Sequence, residues 1–83
     1  MYKWGRIGFL NIRAFPVQAE WNYHSIGILP EGWKPLSNFM ITGYSNADVY
    51  RTVYCDVLTD GTMNVDSKDT DGNAFFSSTY FIA

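Results

Sequence analysis

The stretch Val49-Tyr50-Arg51-Thr52-Val53-Tyr54-Cys55-Asp56-Val57-Leu58-Thr59-Asp60-Gly61-Thr62-Met63-Asn64-Val65 decides the fold class. Val53, Cys55 and Val57 alternate with Tyr50, Thr52, Tyr54 and Asp56. A period of two belongs to a strand that turns one face to a core. Asp60-Gly61 interrupts the alternation and Thr62–Val65 resumes it. Asp-Gly between alternating segments is a strong hairpin signal, because both central residues of the favoured two-residue turn need φ > 0. The expectation is a hairpin with strands at Val49–Leu58 and Thr62–Val65.

The rest of the chain reads the same way. β-branched and aromatic residues alternate over Trp4–Phe15, Glu20–Leu29, Phe39–Gly43 and Ala74–Ile82. No window keeps a 3.6-residue apolar period, so no helix is expected. Pro16 and Gln18 are expected to close a first hairpin, Ser45–Asp48 to form a polar loop, and Asp66–Asn73 a longer acidic one. Short strands with no helix between them predict an all-β chain. Its form would be a small antiparallel β-sandwich or jelly-roll-like barrel, with residues 1–83 as one β-domain.

Composition narrows the function classes. Three Trp, six Tyr and six Phe stand against six basic and eight acidic residues in 83. That is too apolar for a disordered chain. Lys3, Arg6, Arg13 and Lys34 fall in the first half, and six Asp in the second. Positive charges this sparse do not make a nucleic-acid footprint. No apolar run reaches the ~18 residues of a membrane-spanning helix, and the first residues lack the apolar stretch of a signal peptide. Cys55 is the one cysteine and His24 the one histidine. They permit no internal disulfide and no structural zinc site. No cofactor is expected.

A domain this small buries a modest fraction of its surface, and oligomerisation is the remedy left open. Several strands are apolar on both faces. Trp4, Leu10, Ile12 and Ala14 oppose Ile7, Phe9 and Phe15, and Phe75 and Phe81 oppose Phe76, Tyr80 and Ile82. A lone sandwich wets one face of each sheet. The second apolar face therefore predicts a homotrimer, with Tyr50, Tyr54, Phe76 and Tyr80 as interface candidates.

Ile26-Gly27-Ile28-Leu29-Pro30-Glu31-Gly32-Trp33-Lys34-Pro35 ends the second strand in a stiff loop. Pro30 withholds a donor, Gly32 permits a turn with φ > 0, and Pro35 holds Lys34 extended. This run resembles a segment of the C-terminal β-domains of bacteriophage tail, baseplate and fibre proteins. Lys3-Trp4-Gly5-Arg6-Ile7, Trp21, Asp60-Gly61-Thr62-Met63-Asn64-Val65 and Ser77-Ser78-Thr79-Tyr80-Phe81-Ile82 match further pieces in order. The resemblance implies a C-terminal tip or head module of a longer tail protein. It would sit in the virion beside other tail proteins and be assembled in the host cytoplasm. It would support trimer assembly and host adsorption through a bacterial cell-surface saccharide. The chain shows no shaft, collagen-like repeat or heptad pattern.

Candidate sites follow. Tyr44, Asn46, Asp48 and Asn73 lie in expected loops and combine an aromatic face with planar polar groups, as a saccharide site requires. Trp33 is either a packed plug or a sugar-stacking platform. His24, on one strand with Trp21 and Tyr23, is expected to be partly buried. Asp66–Asn73 lacks the bidentate acid of an EF-hand loop, so it is read as a solvated turn. Cys55, beside Val53 and Val57, is read as a small buried hydrophobe. No nucleophile elbow and no opposed carboxylate pair is present, so no enzyme is expected. The alternatives are a free-standing carbohydrate-binding β-sandwich and a small oligonucleotide-binding barrel with stacking aromatics.

Overall fold

The computed structural model describes residues 2–46, 50–67 and 70–83; for residues 2–4 and 50 it describes the backbone alone. Seven strands follow in chain order: β1 (Tyr2–Trp4), β2 (Ile7–Val17), β3 (His24–Ile28), β4 (Phe39–Asn46), β5 (Tyr50–Val57), β6 (Thr62–Asp66) and β7 (Gly72–Phe81). They form one antiparallel sheet in the order β1-β2-β7-β4-β5-β6-β3. The chain is all-β, as expected.

The sheet curls into a half-barrel. Leu10 and Val17 of β2 and Ala74, Phe76 and Tyr80 of β7 share one buried cluster with Ile41, Val53, Cys55, Val57 and Val65. Val53, Val57 and Val65 lose all solvent contact, worth roughly 1.5–3 kcal/mol each. Among the described residues the β4–β7 ladder consists of the pairs Tyr44–Phe75 and Ser45–Ala74, so the two halves of the sheet part beyond them and curl over the core.

Two crossing segments seal the ends. Residues 18–23 carry the chain from β2 to β3. There Trp21 N–H donates to Gln18 C=O (3.1 Å), Ser67 N–H to Trp21 C=O (3.3 Å), and the Ser67 hydroxyl to Gln18 C=O. Residues 29–38 cross the other end. There Leu29 N–H donates to Gly61 C=O (2.9 Å), Leu36 N–H to Phe81 C=O (2.8 Å) and Ala83 N–H to Lys34 C=O (2.9 Å).

The central hairpin forms where expected, but its turn differs. Gly61 N–H donates to Leu58 C=O (2.8 Å) and Leu58 N–H to Thr62 C=O (2.9 Å). Gly61 has φ +93°, while Asp60 is absent from the positive-φ residues. This is a three-residue loop with glycine at its left-handed position, not a two-residue turn. Asp60 Oδ1 accepts Thr62 N–H at 2.9 Å. That bond holds the exposed Asp60 carboxyl below the usual carboxylate range.

The first expected strand is two. Gly5, at φ +60°, turns β1 back on β2. Pro16 does not end a hairpin: it lies within β2, opposite Asn73. β1 covers β2 only at Ile7–Phe9, so Pro16 sits where the other side of β2 is an open edge and its missing N–H is tolerated. A bulge between Ile12 and Phe15 inserts one residue, with Ala14 at φ +53°. The bulge resets the alternation. Phe15 joins Ile12 against the core and Ala14 is exposed, the reverse of the expected faces. Ser45 and Asn46, expected in a loop, extend β4 and pair with Arg51 and Tyr50.

The acidic segment after β6 is less solvated than expected. Ser67 and Thr70 are buried. Ser45 Oγ and Thr70 Oγ1 share a hydrogen bond of 2.8 Å, and Thr70 Oγ1 donates to Asp71 C=O at 3.0 Å. Among the described residues no buried side-chain nitrogen or oxygen lacks a partner.

Candidate functional site

Tyr44 and Asn46 lie in β4 and Asn73 in β7, not in loops as expected, and the strand directions bring the three to one end of the half-barrel. Asn46 Oδ1 accepts the Asn73 N–H at 3.0 Å. The Tyr44 ring stacks on Phe75, centroids 5.0 Å apart and planes 17° from parallel. Asp48 lies outside the described residues. Trp33 is elsewhere, in the segment that crosses the opposite end. It is partly buried against the core, and its C=O accepts the Tyr80 hydroxyl at 2.7 Å. Burial pushes the Tyr80 phenol above its ordinary pKa. Trp33 is thus packed into the end of the barrel, apart from the other candidates.

Two expected interface residues are core residues. Phe76 and Tyr80 keep 2% and 7% of their surface exposed. Strand parity groups them with Ala74 and Ile82, and the β2 pairing supplies the room. Tyr80 faces Gly8, where a Cβ would stand 2.7 Å from the Tyr80 ring. The bare glycine lets that ring lie flat inside the barrel. Phe39 stacks on it with centroids 5.2 Å apart. The outward residues of β7 are instead Phe75, Ser77, Thr79 and Phe81, with Phe81 68% exposed. Tyr54 is half-buried and paired with Thr42 and Asp66. The Tyr50 side chain lies outside the described residues.

His24 is exposed, contrary to expectation. It stacks on Trp21 with centroids 3.9 Å apart and planes 10° from parallel. Cys55 is fully buried. Burial, and secondarily the Asp56 carboxylate, push its thiol pKa up to about 12. Among the described residues no three His, Cys, Asp or Glu side chains cluster as metal ligands would.

Grooves open among the described residues. One, of about 330 Å³, is lined by Asn11, Arg13, Thr42, Tyr44, Phe75 and Ser77 among others. A second, of about 280 Å³, lies between Tyr23, Met40, Tyr54, Asp56 and Asp66. A third, of about 330 Å³, is apolar and lies where β4 and β7 part, with Ile7, Leu36, Phe39 and Phe81 in its wall. Tyr44 connects the expected site to the first groove. Sequence reading missed Arg13, Asn11 and Ser77 there. One signal was available: Arg13 is the single charge in Ile7–Val17.

No protein-family model, curated protein or solved structure matches the chain.

Proposed function

We propose that this domain is a structural module of a phage tail tip, baseplate or fibre, which self-associates as a trimer and contacts host-surface saccharide. One observation carries the reading. Leu36 and Phe81, 63% and 68% exposed, line one apolar groove together with Ile7 and Phe39. Large apolar side chains gathered in water mark an interaction surface. The apolar groove beside Leu36 and Phe81 gives a second copy something to fill, and obligate small domains commonly gain their missing burial this way. The motif order in the sequence supplies the phage context.

Sedimentation at micromolar concentration tests the assembly. The expected result is a trimer mass for the wild type and dissociation for Phe81→Ser, with the circular dichroism of the strands unchanged. A monomer mass for the wild type would overturn the reading. It would leave the free-standing carbohydrate-binding module, which the groove of Arg13 and Tyr44 favours independently.

A further inference from the structure

We infer that the groove between β2, β7 and β4 is a subsite for a carboxylate-bearing sugar, with Arg13 as the residue that recognises the acid. The inference rests on the saccharide reading above and names the class of saccharide.

The argument begins with charge. β2, β7 and β4 are neighbours in the sheet, with 11, 10 and 8 residues. Arg13 is the single charged side chain in all three. It is exposed and lines the groove. Among the described residues Lys34 pairs with Glu31, and Arg13 pairs with no acid. The backbone also favours this placement. Arg13 stands in the bulge, where Ile12 pairs with Phe76, Phe15 with Ala74, and neither Arg13 nor Ala14 has a partner on β7. Bulges commonly re-aim a side chain in this way.

The rest of the lining suits a sugar. Tyr44 and Phe75 stack into one aromatic wall, which can take the C–H face of a pyranose. Asn11, Thr42 and Ser77 add an amide and two hydroxyls, able to donate to and accept from ring hydroxyls. At about 330 Å³ the groove is at the small end of ligand pockets, the scale of one or two sugar rings. A guanidinium matches a carboxylate with two parallel N–H donors. One cation cannot neutralise a row of phosphates. That speaks against single-stranded nucleic acid.

The test is titration calorimetry on the full chain with trigalacturonate, a hyaluronan tetrasaccharide and sialyllactose, each beside its carboxyl-reduced form. The wild type is expected to bind at least one acidic probe about tenfold or more tighter than its reduced form, the scale of one charge-assisted contact. Added salt should narrow that gap. Arg13→Gln should abolish the preference and Arg13→Lys should keep part of it. The side chain is exposed, so both variants should melt like the wild type. Equal affinity for acidic and reduced probes, or a preference that survives Arg13→Gln, overturns the inference while the saccharide reading stands. Failure of the folded wild type to bind any probe in either form overturns both.

Discussion

Ala14 shows how one residue redirects a strand. It holds φ +53° while exposed at a bulge, a conformation that disfavours an L-residue by roughly 1–2 kcal/mol. Glycine removes that strain but loses more entropy on folding. Ala14→Gly is therefore expected to raise stability by up to about 1 kcal/mol, read as a higher urea midpoint at unchanged slope. Ala14→Val should lower it. No feature of Arg13-Ala14-Phe15 announces a bulge, since alanine is not a left-handed residue by preference. That is why the sequence reading put Phe15 on the wrong face and passed over Arg13. Cys55 was legible because its neighbours are, whereas at Trp33 the stiff loop was legible but not whether the ring packs. Cys55 lies between two valines of its own face, and Trp33 lies between a proline and a glycine that fix its loop.

At the scale of the elements, Gly43 decides how closely β4 can approach β7. A Cβ there would lie 2.2 Å from the Phe75 carbonyl oxygen and 2.6 Å from the Phe76 ring. Backbone cannot rotate away, so the strands would have to part at the two pairs that join them. Gly43→Ala is expected to cost about 1–3 kcal/mol, the range for overpacking, and to widen the groove beside Arg13. Gly5→Ala serves as the contrast, because nothing lies within 4 Å of its Cβ position and only its positive φ is strained. Thermal melts of both variants, with the sugar titration repeated on Gly43→Ala, check this. Where the strands lie was legible from alternation, which is local. That β2 neighbours β7, and β6 neighbours β3, was not, because those pairings join residues far apart in sequence and alternation carries no partner identity. The faces of Phe76 and Tyr80 depended on this. Both faces of that strand are apolar, and only the glycine opposite Tyr80 shows which one turns inward.

For the whole molecule, the deciding balance is between a closed core and an apolar exterior. The sequence showed that both faces were apolar, and a trimer is one way to cover the outer one. Cys55 offers a readout of that balance from the inside. It pairs with Ile41 on one side and Val65 on the other, in an interior strand of the sheet. Its thiol pKa stands at about 12, and the thiolate is the reactive form. In native buffer near pH 8 the thiol should resist a disulfide reagent, and it should react fully once denaturant opens the sheet. Reaction in native buffer then requires global opening, so its rate follows the unfolded population. If copies of the domain must separate before the barrel opens, that population falls as protein concentration rises. Labelling is accordingly expected to slow across a dilution series run from low to high micromolar protein, and Phe81→Ser should remove the dependence. A slow rate that ignores concentration would mean that a monomer holds its core alone. Rapid labelling at every concentration would mean that the half-barrel opens at Cys55 without unfolding.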